Sequence, residues 1–166
     1  MSTKIYRAGV ITASDKGAAG EREDISGETL KEILRENGYL IAGYCVLPDD
    51  QDTLAEEMIR LADGDVCDVV FTTGGTGLSP RDVTPEATLS VAHRLVPGIS
   101  EALRAQSMKI TNRAMLSRGV SVVRERTLII NLPGSPKAVK ESLDVILDAV
   151  SHGLAILRGD DGECAR

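Results

Sequence analysis

The chain has 166 residues, a hydrophobic fraction of 42% and an aromatic fraction of only 2%. This composition excludes a disordered chain, fits one domain, and predicts a core of Val, Ile, Leu and Ala. The net charge of −6 is unfavourable for binding nucleic acid or an anionic membrane surface. No apolar stretch reaches the roughly 20 residues that span a bilayer, and no secretion signal is recognisable. We therefore expect a cytoplasmic protein that binds neither nucleic acid nor membranes.

Apolar periodicity and turn residues predict the order β-α-β-α-β, then helices, then β-β-α. The predicted strands cover residues 5–13, 39–47, 66–72, 119–124 and 127–132. The predicted helices run from Ser26 to about Asn37, from Asp50 or Asp52 to about Ala62, from Thr84 to about Leu95, from Gly98 to about Ile110, and from Ser135 to about Val150. Residues 14–23 read as a loop. The alternation indicates an α/β fold with a mainly parallel central sheet and helices on both faces. We expect one compact domain over residues 1–158 and a polar tail over 159–166, which includes Cys164.

Polar residues gather where the predicted strands end. These segments are Ser14-Asp15, Pro48-Asp49-Asp50, Gly74-Gly75-Thr76-Gly77 and Asn131-Leu132-Pro133-Gly134-Ser135. Ligands of open α/β sheets bind outside the carboxyl ends of the strands. We therefore expect these four loops to share one edge of the sheet and to form the functional site.

Three glycines within Gly74–Gly77 allow backbone N–H groups to turn toward an anion, and Thr76 adds a hydroxyl donor. Such a loop suits a phosphate, although it matches neither the P-loop pattern nor the dinucleotide fingerprint. The alternative is an ordinary tight turn after a strand.

A nucleotide's phosphates commonly arrive with Mg²⁺, which prefers oxygen ligands and keeps several waters. Asp49 and Asp82, each just beyond a strand end, are the candidate ligands. Helix capping is the alternative role for Asp49 and the favoured one for Asp50. Asp82 follows Arg81 directly, and these two side chains alternatively form a solvated ion pair.

Other candidates carry donors for an anionic or polar ligand. Ser14 and Asp15 suit a ribose or base edge, or simply order the following loop. Pro133-Gly134-Ser135 precedes a helix N-terminus, which is a natural anion site or merely a capped helix start. Ser107, Ser117 and Arg118 have suitable donors, but their spacing alone indicates no function.

Several motifs together resemble the molybdopterin adenylyltransferases. These are TGGTG at residues 73–77, RDVTPEA at 81–87, LSR at 116–118 and NLPGSP at 131–136, with Ser14-Asp15 and Pro48-Asp49-Asp50 before them. The resemblance covers roughly residues 5–155. The glycine loop alone is weak, but the four motifs in this order are highly specific, and the presence of both Arg81 and Asp82 favours the transferase branch of this fold.

The resemblance implies a homotrimeric α/β protein that reacts ATP with molybdopterin in the presence of Mg²⁺. It implies that Asp49 and Asp82 are the essential, metal-binding acids. The nucleotide and its phosphates are assigned to Ser14, Asp15, Gly74, Gly75, Thr76, Gly77, Pro133, Gly134 and Ser135. Molybdopterin is assigned to Ser107, Ser117, Arg118 and Asn131. The adenylylated product would pass to the enzyme that inserts molybdenum.

Two rival hypotheses keep the same fold. A non-catalytic molybdopterin carrier would need the glycine loop but not the Asp49 and Asp82 pair. A nucleotide-binding regulatory domain would need neither the LSR nor the NLPGSP segment. ATP turnover distinguishes the first rival, and retention of a pterin distinguishes the second.

Overall fold

The computed structural model describes residues 4–160. Its strands are β1 (Arg7–Ala13), β2 (Leu40–Leu47), β3 (Val69–Thr73), β4 (Arg94–Leu95), β5 (Ser121–Arg124) and β6 (Thr127–Leu132). Its helices are α1 (Asp15–Ala18), α2 (Ile25–Glu36), α3 (Gln51–Asp63), α4 (Thr84–Val91), α5 (Pro97–Met108) and α6 (Pro136–Leu157), with a 3-10 helix at Asn112–Leu116. No helix in this part of the chain is both long and apolar enough to cross a membrane.

The six strands form one sheet in the order β2-β1-β3-β6-β5-β4. The pairs β1/β2, β1/β3 and β3/β6 are parallel, whereas β5 runs antiparallel to both β6 and β4. Side chains alternate between the two faces along each strand, so that Phe71 packs with α2, α5 and α6 while Val70 packs with α3 and α4. The predicted α/β fold, with a mainly parallel sheet covered on both faces, is therefore confirmed.

The segment that contains the first two helices differs from the prediction. The expected loop over 14–23 contains α1, which Ser14 caps by accepting a hydrogen bond from Gly17 N–H. Asp24 rather than Ser26 caps α2, and its carboxylate accepts from Gly27 N–H. The Ser26 hydroxyl instead donates to the Gly134 carbonyl at 2.5 Å. Ser26 therefore joins α2 to the loop after β6.

The predicted helix over 84–95 is too long. Helix α4 ends at Val91, because Arg94 and Leu95 pair with β5 as an edge strand. Its N-cap is Val83, and the Thr84 hydroxyl donates to the Gly74 carbonyl at 3.0 Å instead of capping. Helix α6 in turn extends beyond Val150 to Leu157, since Leu154 continues its buried stripe. The expected division at residue 158 stays a prediction, and residues 161–166, with Cys164, lie outside the described residues.

Asp68 interrupts an apolar run in the sequence and precedes β3 as a buried carboxylate whose side chain is 3% exposed. It accepts hydrogen bonds from the Arg7 backbone N–H at 2.7 Å and from the Arg7 guanidinium, and it lies 3.0 Å from Arg158. Burial opposes its ionisation, but the two arginines outweigh this effect and lower the pKa of Asp68 below its ordinary value. The ion pairs thereby fasten the end of α6 to the sheet.

We predict that Asp68→Asn lowers the free energy of unfolding by about 2–3 kcal/mol at pH 7, because it leaves the arginines partly uncompensated. The depressed pKa means that this stabilisation is complete above the ordinary value of 3.8 and is lost as the pH falls below it. Urea denaturation at pH 7 and pH 3.5 measures the difference. Asp65→Asn is the control, since Asp65 binds the same arginines but is 67% exposed. A difference between wild type and Asp68→Asn that does not shrink at low pH would contradict the assignment.

Candidate functional site

Four loops meet at the carboxyl edge of the parallel strands. The Ser14 N–H donates to the Leu47 carbonyl at 2.9 Å, which joins the loops after β1 and β2. The Thr73 hydroxyl donates to the Pro133 carbonyl at 2.7 Å, which joins the loops after β3 and β6. The shared edge expected from a parallel sheet is thus present.

The loop after β3 requires glycine at consecutive positions. Gly74 and Gly75 have φ values of +89° and +70°, in the left-handed region that favours glycine. A Cβ on Gly74 would lie 2.5 Å from the Ala13 carbonyl oxygen, and one on Gly75 would collide with the Thr84 hydroxyl. This loop therefore packs directly on the ends of β1 and the start of α4.

Asp15 and Asp49 hold each other through two reciprocal hydrogen bonds. The Asp15 N–H donates to Asp49 Oδ2 at 3.1 Å, and the Asp49 N–H donates to Asp15 Oδ1 at 3.0 Å. Asp49 Oδ1 is buried and accepts no hydrogen bond from the residues that the structure describes. Burial raises the pKa of the Asp49 carboxyl, and the charges of Asp15 and Asp82 raise it further. An unsatisfied buried carboxylate oxygen of this kind suits a cation or a hydrogen-bond donor of a ligand.

Asp82 lies beside the glycine loop near Gly77. Its Oδ2 accepts a hydrogen bond from Ser79 N–H at 3.1 Å, and a Cβ on Gly77 would approach the same oxygen to 2.9 Å. A Cβ on Gly75 would in turn lie 3.2 Å from Asp49 Oδ1. The two predicted acids thus flank one short glycine loop. The suggested Arg81–Asp82 ion pair is wrong, because the Arg81 guanidinium binds Asp15 instead.

Arg118 holds the glycine loop in place. Its guanidinium donates to the Gly77 carbonyl at 2.8 Å, to the Asp82 carbonyl at 2.7 Å, and to the Glu86 carboxylate. Its backbone N–H donates to the Thr76 carbonyl at 2.9 Å. These contacts with the protein make Arg118 a positioning residue for Asp82, and its expected contact with molybdopterin stays a prediction.

Asn131 is also engaged within the protein. Its amide nitrogen donates to the Thr72 and Thr88 hydroxyls at 3.0 and 2.9 Å, and its carbonyl oxygen accepts from Val120 N–H at 3.1 Å. Ser135 likewise has a capping role, since its hydroxyl accepts from Ala138 N–H at 3.1 Å. Both residues therefore position the loop between β6 and α6.

Two cavities open on either side of the glycine loop. The first, of about 320 Å³, is lined by apolar side chains such as Leu103, Ile110 and Leu116, by the polar side chains of Ser107, Ser117, Asn131 and Thr76, and by Gly77 and Pro133. The second, of about 370 Å³, is lined by Ser14, Gly74 and Gly134 together with Thr12, Arg22, Asp24 and Ser26. Adjacent stretches of the same loops therefore face different cavities.

The residues predicted for the two ligands separate only in part between these cavities. Ser107, Ser117 and Asn131, predicted for molybdopterin, line the first, and Ser14, Gly74 and Gly134, predicted for the nucleotide, line the second. Thr76, Gly77 and Pro133 were also predicted for the nucleotide but line the first cavity. The sequence did not indicate Arg104 and Arg113 in the first cavity or Arg22 in the second. No local motif marks them, because α5, the 3-10 helix and the loop before α2 reach the site only through the tertiary fold.

Comparison with known proteins identifies the family of this chain. Residues 9–152 match the family described as a probable molybdopterin binding domain. The chain belongs to this family. It is 39% identical to the molybdopterin adenylyltransferase of Helicobacter pylori strain J99 over 92% of this chain and 88% of that protein. It is 40% identical to the molybdopterin adenylyltransferase of Escherichia coli K12 over 89% of this chain and 79% of that protein.

A solved relative shares the whole architecture. The molybdopterin biosynthesis enzyme MoaB of Thermus thermophilus superposes with a TM-score of 0.88 at 43% identity, covering 93% of this chain and 98% of that one. The architecture of this chain is thus shared with a molybdopterin biosynthesis enzyme.

Proposed function

We propose that this protein is a molybdopterin adenylyltransferase, which transfers AMP from ATP to molybdopterin and releases pyrophosphate. The observation that carries the proposal is the pair of cavities that meet at one glycine loop flanked by Asp49 and Asp82. A transferase that joins two substrates needs two neighbouring sites and a shared centre for the reacting phosphates. The relatives from Helicobacter pylori and Escherichia coli, which bear this name, support the assignment.

The chemistry of the cavities favours one arrangement of the substrates. The first cavity combines apolar side chains with Ser107, Arg104 and Arg113, which suits a planar pterin that carries a phosphate. The second includes the hydroxyl and carboxylate groups of Ser14, Asp24 and Ser26, which suit the hydroxyls of a ribose and the polar edge of a base. Molybdopterin therefore occupies the first cavity and the nucleotide the second, with the phosphates of both at the glycine loop.

The acids fit a magnesium ion. Asp49 Oδ1 is a buried oxygen that no described residue satisfies, and Asp82 lies beside Gly77 of the same loop. A Mg²⁺ site commonly uses one or two carboxylates, substrate phosphates and water. Asp49 and Asp82 would hold the ion, and Mg²⁺ would neutralise charge on the phosphate oxygens.

The reaction requires little covalent chemistry from the protein. An oxygen of the terminal phosphate of molybdopterin forms a bond to the α-phosphorus of ATP, and the bond from that phosphorus to the β-phosphate oxygen breaks, so that pyrophosphate leaves. The protein supplies positioning and charge stabilisation. Glycine-loop N–H groups and Thr76 bind phosphate oxygens, while Arg118 fixes the loop through the Gly77 and Asp82 carbonyls.

Assembly and cellular context follow from the same proposal. We infer a homotrimer that acts in the cytoplasm, where ATP is available. The adenylylated product is an activated phosphate anhydride, so it is suited to direct transfer to the enzyme that inserts molybdenum. These inferences depend on the family resemblance and are tested by sedimentation and by activity of the mixed enzymes.

We predict that Asp49→Asn and Asp82→Asn each lower kcat by about a hundredfold or more, as expected when a group that organises charge in the transition state is lost. Binding of molybdopterin, followed by pterin fluorescence, should change little. Asp50→Asn is the matched control, since Asp50 is an exposed cap of α3 that accepts from Thr53 N–H. Wild-type turnover in either acid variant would refute the assigned role, and tight pterin binding without turnover in the wild type would favour the carrier hypothesis.

We predict that Ser107→Leu, which fills part of the first cavity, raises the Kd for molybdopterin about tenfold or more through overpacking. The Kd for ATP should stay unchanged, because Ser107 lines the first cavity and not the second. Ala105→Leu adds similar bulk at an exposed position of α5 that does not line the cavity, and serves as the control. A larger loss of ATP affinity than of molybdopterin affinity would reverse the assignment of the two cavities.

A further inference from the structure

The positively charged Arg81 side chain lies close to the acidic side chains of Asp15 and Asp49. Its side chain is 64% exposed and forms a bidentate pair with Asp15, with Nε–Oδ2 and Nη2–Oδ1 distances of 3.0 Å each. Asp15 is bonded to Asp49 through the backbone, and Arg81 is adjacent to Asp82 in sequence. The Arg81 guanidinium is therefore connected to Asp49 through Asp15, and Arg81 directly precedes Asp82 in the sequence.

The surroundings of Arg81 would otherwise repel a polyphosphate. Asp15, Asp49, Asp50 and Asp82 lie in the loops around it, and its positive charge opposes the effect of Asp15 and Asp82 on Asp49. Arg118, on the other side of Asp82, has its guanidinium engaged by Gly77, Asp82 and Glu86. Among the described residues the Arg81 guanidinium is hydrogen-bonded to one exposed carboxylate, that of Asp15, so Arg81 is able to change partner.

We propose that Arg81 exchanges Asp15 for the β- and γ-phosphates of the nucleotide and stabilises the pyrophosphate as it leaves. This inference deepens the proposed function and depends on it for the identity of the reaction. A solvent-exposed ion pair contributes little to stability, so breaking the Arg81–Asp15 pair costs little. The planar fork that binds a carboxylate in two places binds phosphate oxygens in the same way.

Asp15 remains hydrogen-bonded and hydrated after Arg81 leaves it. Asp15 Oδ1 keeps the hydrogen bond from Asp49 N–H, and the Asp15 carboxylate is half-exposed, so water hydrates it after Arg81 leaves. Asp15 thereby acts as a competitor that holds Arg81 in the free protein. The exchange requires no change in the number of protein charges and no movement of the sheet.

A purely structural role for the pair makes the opposite prediction. If Arg81 and Asp15 only fasten the loop after Gly77 to α1, then removing either side chain's charge breaks the same contact and lowers turnover equally, and pyrophosphate affinity changes only by the small, screened effect of one exposed charge. If Arg81 is a phosphate ligand, removal of Arg81 and removal of its competitor Asp15 have effects of opposite sign. Asp15→Asn is a clean competitor variant, because the asparagine oxygen can still accept from Asp49 N–H.

The test is calorimetric titration of the full chain with inorganic pyrophosphate in the presence of Mg²⁺, alongside turnover with ATP and molybdopterin. We expect Arg81→Gln to weaken pyrophosphate binding about tenfold or more, the usual effect of losing charge-assisted hydrogen bonds, and to lower kcat. Asp15→Asn should strengthen pyrophosphate binding severalfold. The control is Arg60→Gln, since Arg60 forms a similar exposed bidentate pair with Glu57 on α3.

Equal weakening by Arg81→Gln and Asp15→Asn would overturn the proposal in favour of a structural pair, and so would unchanged binding in Arg81→Gln. Wild-type protein that binds no pyrophosphate would overturn it as well. Opposite effects on pyrophosphate binding, in a protein that makes no adenylylated pterin, would support the role of Arg81 while refuting the proposed transferase. The two claims therefore fail separately.

Discussion

The close approach of the Gly74–Gly75 backbone to the ends of β1 and α4 is the constraint on which the site depends. A side chain at either position would collide with the Ala13 carbonyl or the Thr84 hydroxyl, so the loop follows one narrow path. That path brings Gly75 and Gly77 beside Asp49 and Asp82 and divides the edge of the sheet into two cavities. Arg118 fixes the far side of the loop by binding the Gly77 and Asp82 carbonyls.

The acidic side chains around this loop repel one another. Asp49 is buried with one oxygen unsatisfied by described residues, and its neighbours Asp15 and Asp82 disfavour its ionised form. Ion pairs elsewhere, such as Asp68 with Arg7, instead favour the charged carboxylate and stabilise the fold. Repulsion between acids is unfavourable for stability and favourable for binding a cation. This contrast supports the functional role that we propose for Asp49.

Much of the fold was predictable because its strands are short apolar runs closed by distinctive loops. The mainly parallel sheet and the meeting of four loops followed from that pattern, and Asp49 and Asp82 were found beside the glycine loop. Strand β4 and the cap at Asp24 were missed, because edge pairing and the choice between two nearby caps depend on tertiary contacts. The roles of Arg118 and Arg81 also escaped prediction, since no spacing in the sequence shows which acceptor a long side chain will reach.

The most direct test of the account is to follow the α-phosphate of ATP. Wild-type protein is incubated with molybdopterin, Mg²⁺ and ATP labelled at either the α- or the γ-phosphate, and the pterin product and pyrophosphate are separated. The account predicts that α-label enters the pterin product and γ-label enters pyrophosphate in equal amounts. Molybdopterin that binds tightly but acquires no α-label would contradict it and would identify a carrier, and γ-label in the pterin product would indicate a different phosphoryl transfer.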